Sequence, residues 1–136
     1  MRILVTGGAG FIGANLVAHL LAQGAERVVV LDALTYAGNL QNLAPVQADP
    51  RYRFVKGSIL DQALVGELLE SERLDAVANL AAESHVDRSI RGPEAFVETN
   101  VTGTLRMLEA SRAYVEAHPA LRERFRYLQV STDEVF

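Results

Sequence analysis

The sequence contains no cysteine, few prolines and only one lysine, Lys56, among its 13 basic residues. Without cysteine the chain has no disulfide, no thiolate metal ligand and no thiol nucleophile. No apolar run approaches the roughly 18 residues that a membrane span requires, and no targeting segment is recognisable, so we expect a cytoplasmic protein without a membrane partner. The 17 acidic residues outnumber the basic ones, the net charge is −4, and no basic block is present. We therefore expect no nucleic-acid partner.

Apolar runs alternate with helical patterns along the whole chain, which at 136 residues is expected to form one domain, residues 1–136. The predicted strands are Ile3–Thr6, Arg27–Asp32, Tyr52–Lys56, Leu74–Leu80 and Phe125–Ser131. The predicted helices cover residues 11–23, 61–72 and 93–118, with a loop or short helix over residues 36–43. One face of the last helix carries Val97, Val101, Thr104, Leu105 and Leu108. This alternation predicts an α/β fold with a doubly wound parallel sheet, the Rossmann fold, in the strand order 3-2-1-4-5.

The clearest chemical signal lies at the start of the chain, where the first strand runs into Gly7, Gly10 and Gly13 and then into an apolar helix. Gly7 permits a tight turn, Gly10 lets the backbone approach phosphates, and Gly13 lets the helix pack closely. The free N–H groups and the dipole of the helix N-terminus bind a pyrophosphate without a basic side chain. This segment predicts a dinucleotide site.

Polar residues gather where the predicted strands end, which is where ligands bind in such sheets. Asp32 follows the glycine turn at about the 20-residue spacing of a carboxylate that binds the adenosine ribose. A carboxylate there repels a 2′-phosphate, so we expect NAD rather than NADP; the alternative is that Asp32 only caps the following turn. Thr35 and Ser58 either line the adenosine pocket or cap turns.

Two adjacent carboxylates, Asp133 and Glu134, follow the end of the fifth strand. They form a general acid and base pair if their environments separate their pKa values, or else a solvated strand end. His85 follows the fourth strand, where a histidine is more often structural than a base. We expect the Asn100 amide to bond to the loop after that strand. The three histidines have no ligand spacing, so no metal site is expected.

The chain resembles the extended short-chain dehydrogenase/reductases and, within them, the family of dTDP-glucose 4,6-dehydratases. The resemblance covers the whole chain, and the triplet Thr132-Asp133-Glu134 is its most discriminating part. The segments that carry it are Thr6-Gly-Gly-Ala-Gly-Phe-Ile-Gly13, Asp32-Ala-Leu-Thr-Tyr-Ala-Gly-Asn39, Leu80-Ala-Ala-Glu-Ser-His-Val-Asp-Arg-Ser-Ile90, Glu98-Thr-Asn100 and Ser131-Thr-Asp-Glu-Val-Phe136.

The resemblance implies NAD-dependent conversion of a dTDP-hexose, dTDP-glucose, into dTDP-4-keto-6-deoxyglucose by a homodimeric lyase. It implies that Glu134 is the base at C5 of the sugar, that Asp133 protonates the departing C6 hydroxyl, and that Thr132, with Ser84, binds the substrate. The cofactor contacts that it implies, together with the glycine turn, are Gly7, Gly10, Phe11, Ile12, Gly13, Asp32, Ala33, Leu34, Thr35, Ser58, Ile59, Leu80, Ala81, Ala82, Ser84 and Thr99.

One expected pair is missing. Oxidation at C4 in this superfamily uses Tyr-x-x-x-Lys on a helix after the fifth strand, whereas the only match, Tyr52 to Lys56, falls on a predicted strand. We therefore expect an incomplete domain, truncated after about the fifth strand, without the Tyr/Lys helix and the substrate domain, and inactive alone. The alternatives are another NAD-dependent sugar-nucleotide epimerase or dehydratase, and a non-catalytic NAD-binding module.

Overall fold

The structure, a computed structural model, describes residues 1–133. Its strands are β1 (Arg2–Thr6), β2 (Arg27–Asp32), β3 (Tyr52–Lys56), β4 (Ala76–Asn79) and β5 (Arg126–Gln129). Its α-helices are α1 (Phe11–Ala22), α2 (Gln62–Ser71), α3 (Val86–Arg91), α4 (Pro93–Phe96) and α5 (Thr104–Ala117). A π-helix (Val97–Gly103) joins α4 to α5, and 3-10 helices cover Leu40–Val46 and Pro119–Leu121. Over residues 1–133 no helix is both long and apolar enough to cross a membrane.

The five strands form one parallel sheet in the order β3-β2-β1-β4-β5, which confirms the predicted topology. Alternate side chains of β1 and β2 enter two separate cores, one on each face of the sheet. Leu4 and Val29 pack with α2 and α5, whereas Val5 and Val30 pack with α1. Helices on both faces make this a doubly wound α/β fold, so all five strands end at the same edge.

Two strands are shorter than the sequence predicts. Strand β4 begins at Ala76 rather than Leu74, because the Leu74 N–H donates to the Leu69 carbonyl at the end of α2 instead of to a strand. Strand β5 covers Arg126–Gln129 rather than 125–131. In both cases apolar residues next to the strand extended the prediction.

The long helical region shows a different kind of departure. It runs from Pro93 as predicted and ends in α5 at Ala117, just before Pro119. However, the apolar residues that share its predicted face are largely exposed, and the residues that enter the core lie on the other side: Met107, Ala110, Ser111 and Tyr114. We call the exposed set, Val97, Val101, Leu105 and Leu108, the apolar stripe.

Candidate functional site

The carboxyl edge of the sheet contains a cavity of about 600 Å³. This is within the range of small-molecule sites in proteins. Each of the five strands contributes to it through the loop that follows. The lining residues are Gly7, Gly10, Phe11, Ile12, Gly13, Leu31, Asp32, Ala33, Thr35, Ala37, Gly38, Gly57, Ser58, Ile59, Leu60, Leu80, Ala81, Ala82, Glu83, Ser84, Thr99, Val130, Ser131 and Thr132.

The floor of the cavity is the glycine turn between β1 and α1. Gly7 has a φ of +66°, and a Cβ there would lie 2.9 Å from the Ala81 nitrogen. A Cβ on Gly13 would lie only 2.2 Å from the Gly7 carbonyl oxygen, so the helix packs against the turn itself rather than the strand. No side chain caps the start of α1, and Phe11 and Ile12 line the cavity there. The helix therefore presents N–H groups suited to an anion.

Asp32 is 9% exposed and lies at the end of β2 beside the glycine turn. Its two carboxylate oxygens accept hydrogen bonds from the Ala9 N–H at 2.9 Å and the Leu34 N–H at 2.8 Å. Asp32 therefore does cap the following turn. A carboxylate has about four acceptor positions, so two remain for the hydroxyl groups of a ribose. The lack of a side chain at Gly38 leaves space beside this carboxylate, because a Cβ there would lie 2.7 Å from one of the Asp32 oxygens.

The loops after β2 and β3 place the predicted cofactor contacts differently. Leu34 does not line the cavity: its backbone turns to a φ of +55°, and its side chain packs against the core beside α1. Thr35 lines the cavity and accepts the Gly38 N–H through its carbonyl. The Ser58 hydroxyl accepts the Leu60 N–H at 3.1 Å, so Ser58 both caps a turn and lines the cavity.

The loop after β4 is held by Asn100, as the sequence predicts. The Asn100 amide donates to the Glu83 carbonyl and accepts the Glu83 N–H, both at 2.9 Å. Asn100 lies in the π-helix, next to Thr99, which lines the cavity. These two hydrogen bonds fix the loop that carries Ser84 into the cavity wall.

A polar network that is buried at Thr6 and Asn79 supports the ends of β1, β4 and β5, and it was not predicted from the sequence. The Thr6 hydroxyl donates to the Asn79 side chain and accepts the N–H groups of the next loop. The Asn79 amide donates to Gln129 at 2.8 Å. Burial raises the pKa of Tyr127 to about 12, and its hydroxyl donates to Gln129. The sequence feature that could have identified this network is Asn79, a polar residue among the apolar residues 76–80.

Two of the predicted catalytic residues, Thr132 and Asp133, follow β5 at the end of this network. Ser131 and Thr132 line the cavity, and Asp133 follows them as an exposed residue. Glu134 lies outside the described residues. The cavity therefore extends from the glycine turn to Thr132, across the carboxyl ends of β1 and β4.

The other predicted features lie outside the cavity. Tyr52 and Lys56 are on β3, which confirms that this match is not the helical pair. His118 contacts Glu70 at 2.8 Å, and His19 is exposed on α1. Within residues 1–133 no group of three His, Cys, Asp or Glu side chains is placed to hold a metal ion. His85 contacts the ring of Tyr36 rather than a ligand site.

Comparison with known proteins agrees with this geometry. The sequence profile of the GDP-mannose 4,6 dehydratase family matches residues 4–136. The chain is 60% identical over 134 residues to a dTDP-glucose 4,6-dehydratase of Xanthomonas campestris pv. campestris, covering 98% of this chain and 38% of that protein. The chain thus spans well under half the length of this curated relative.

Two solved structures show the same fold. One is a dTDP-glucose 4,6-dehydratase from Streptomyces venezuelae with NAD bound, 55% identical, with a TM-score of 0.80 over 84% of this chain and 36% of that one. The other is a UDP-glucose 4-epimerase from Thermotoga maritima, 38% identical, with a TM-score of 0.74 over 84% of this chain and 35% of that one.

Proposed function

Because the chain belongs to the GDP-mannose 4,6 dehydratase family, we propose that it is the cofactor-binding part of an NAD-dependent dTDP-glucose 4,6-dehydratase. Residues 1–136 form its dinucleotide-binding domain. The observation that carries the proposal is the continuity of one cavity from the uncapped start of α1, past Asp32, to Thr132. The higher identity to the dehydratases, 60% and 55%, than to the epimerase, 38%, supports dehydration as the reaction.

The residues present fit NAD. The start of α1 offers N–H groups for a pyrophosphate, and the remaining acceptor positions of Asp32 suit ribose hydroxyls. The 2′-phosphate of NADP would place negative charge against a carboxylate that is 9% exposed, so NAD is preferred. When bound, NAD supplies hydride acceptance and return for the sugar.

The end of β5 supplies the acid and base chemistry in this proposal. Thr132 binds the sugar with Ser84 across the cavity, since both line it. Asp133 protonates the hydroxyl that leaves C6, and Glu134 removes the proton from C5. Positioned acids and bases of this kind contribute about 10²–10⁴-fold to a rate. The Thr6, Asn79 and Gln129 network holds the strand that presents them.

Homodimer formation and a cytoplasmic location are parts of the same proposal. The apolar stripe supports the first: each of its side chains is at least 45% exposed on a continuous helical region. Exposed apolar residues in a row on one helix face are typical of interaction surfaces. Sedimentation of the chain should detect the dimer, and Leu105→Glu should shift it to monomer.

A chimera tests the reaction. This chain would replace the matched 134 residues of the Xanthomonas enzyme, leaving the rest of that protein unchanged. The proposal predicts that the chimera converts dTDP-glucose to the 4-keto-6-deoxy product. A folded chimera that binds NAD but makes a 4-epimer, or no product, would contradict it.

Two variants of the chimera test the residue roles. Asp133→Asn and Glu134→Gln should each abolish the product, whereas Glu134→Gln should still show reduction of NAD on addition of substrate. Glu123→Gln, in the segment before β5, is the matched control and should retain full activity. Normal dehydration by either of the first two variants would refute the assigned roles.

A further inference from the structure

Tyr36 joins two loops that otherwise lie on opposite sides of the cavity. It belongs to the loop after β2, and its ring lies 4.0 Å from the Arg88 guanidinium carbon in α3. The ring also meets His85 edge to face, with 5.8 Å between the ring centroids. The Tyr36 hydroxyl accepts a long hydrogen bond, 3.4 Å, from the Ser84 N–H. The partners all follow β4, so the contact connects the segments that follow β2 and β4.

The neighbours of Tyr36 show where this bridge lies. Thr35 and Ala37 line the cavity on one side, and Ser84 lines it on the other. The same loop is tied to the glycine turn, since the Asn39 N–H donates to the Ala9 carbonyl at 3.0 Å. Tyr36 thus closes a ring of protein around the part of the cavity next to the start of α1.

We propose that Tyr36, with His85 and Arg88, forms a latch that a dinucleotide must open both to enter and to leave the cavity. We call these three residues the Tyr36 latch. The inference rests on the proposed NAD site and adds to it a residue that retains the cofactor. The latch is closed by a cation–π contact between Arg88 and the face of the Tyr36 ring, to which His85 adds an edge-to-face contact.

The latch is suited to open and close. Tyr36 is 40% exposed, and His85 and Arg88 are also exposed, so each contact can be replaced by contact with water. Cation–aromatic contacts at exposed sites are weak, which makes opening frequent compared with unfolding of the sheet. Loop closure of this kind sets the exchange rates of many bound ligands.

The test measures the rates of cofactor exchange on this chain. NADH is mixed with the chain in a stopped-flow fluorimeter, and bound NADH is then displaced by excess NAD. Arg88→Ala should speed both association and dissociation by about two- to five-fold, the range expected for one exposed cation–aromatic contact. Tyr36→Ala, which removes all three contacts, should speed both by at least that much. The dissociation constant should change little, because entry and exit share the latch.

Two further variants separate a latch from a structural contact. Tyr36→Phe keeps the ring and should exchange NADH at nearly the wild-type rates. Arg91→Ala removes an arginine from the same helix but leaves the contacts of Tyr36 in place. It should therefore leave both rates unchanged. Circular dichroism confirms that each variant is folded.

The outcomes distinguish the latch from the NAD proposal. If the wild-type chain binds NADH and Arg88→Ala and Tyr36→Ala leave both rates unchanged, the latch is refuted and the NAD site stands. If only dissociation accelerates and affinity falls in proportion, Tyr36 is an ordinary contact and the latch is again refuted. If the folded wild-type chain binds neither NADH nor NAD, the proposed function fails and the latch with it.

Discussion

The carboxylates at the two edges of the sheet differ in their partners: one is paired with arginine side chains and the other accepts backbone N–H groups. At the amino edge, Glu72 after α2 pairs with Arg27 at 2.7 Å and with Arg53, and its carbonyl accepts the Arg2 side chain. At the carboxyl edge, Asp32 accepts backbone N–H groups, and among residues 1–133 no cation forms an ion pair with it. The Glu72 carboxylate at the amino edge is paired within the protein, whereas the Asp32 carboxylate at the carboxyl edge retains acceptor positions for a ligand. Stability and binding should therefore respond to different substitutions.

The largest expected effect is on the glycine turn. Gly13→Ala places a Cβ 2.2 Å from the Gly7 carbonyl oxygen, so the turn must move. We expect NAD affinity to fall at least about 100-fold and stability to fall by about 1–3 kcal/mol, the usual cost of overpacking. Calorimetric titration and urea unfolding measure the two effects.

Gly66→Ala in α2 is the matched control. A Cβ there meets no atom within 4 Å, and alanine favours a helix over glycine. The free energy of unfolding of this variant should rise by about 0.5–1 kcal/mol, and its affinity for NAD should equal that of the wild type. Equal loss of NAD affinity in both glycine variants would refute the role given to the turn.

Substitutions at the amino edge should change the free energy of unfolding and leave NAD affinity unchanged. Glu72→Gln leaves two arginine side chains without their carboxylate, and we expect a loss of about 1–3 kcal/mol, discounted because both guanidinium groups are partly exposed. NAD affinity should not change. Urea unfolding checks the first statement and calorimetry the second, with Glu67→Gln, an exposed carboxylate of the same helix, as control.

The same cluster predicts a pH dependence. Hydrogen bonding to Arg27, with Arg53 adding to it, lowers the pKa of Glu72 from 4.5 to about 2. Because the pKa is lowered on folding, the stabilisation is fully present above pH 4.5 and is lost as the pH falls toward 2. The difference in unfolding free energy between the wild type and Glu72→Gln should shrink over that window. A difference that stays constant from pH 6 to pH 2.5 would contradict the assignment.

A smaller effect is expected at Asp32. Asp32→Asn removes one acceptor and the negative charge, so NAD affinity should fall about ten-fold, or about 1.4 kcal/mol, while NADP loses less. The ratio of the affinity for NAD to the affinity for NADP should therefore fall. Asp87→Asn makes the same change of net charge on α3 and should leave the preference intact. An unchanged preference in Asp32→Asn would contradict the ribose role.

The smallest effect is expected at Asn100. Asn100→Ala removes both hydrogen bonds to Glu83 at an exposed position, which should cost about 1 kcal/mol. Amide hydrogen exchange in residues 81–85 should accelerate, with little change near β3. Unchanged exchange in that loop would show that other contacts hold it.

The sequence predicts the sheet order and the general location of the site because both follow from local patterns. Apolar runs define the strands, and the glycine spacing and Asp32 mark the ends of β1 and β2, which meet at one edge in any parallel sheet. The placement of a single side chain does not follow from these patterns, as Leu34 shows. Ala33 and Thr35 line the cavity, whereas Leu34 has a positive φ and packs against the core.

Apart from the bond of Asn100 to the loop after β4, side-chain contacts between distant segments could not be predicted in this way. Periodicity placed Val97, Val101 and Leu105 on one helix face correctly but did not reveal that the face is exposed, since burial depends on what packs against it. The contact of Tyr36 with Arg88 depends on the course of the loop after β2 and on the position of α3, and no local pattern predicts either. Loops and surfaces therefore required the structure.

The most direct test of the central claim is a calorimetric titration of the folded chain with NAD and with NADP. We expect saturable binding of NAD and much weaker binding of NADP, because the start of α1 accepts the pyrophosphate and the Asp32 carboxylate repels a 2′-phosphate. Equal affinity for the two dinucleotides, or no binding of NAD by a chain that circular dichroism shows to be folded, would contradict it.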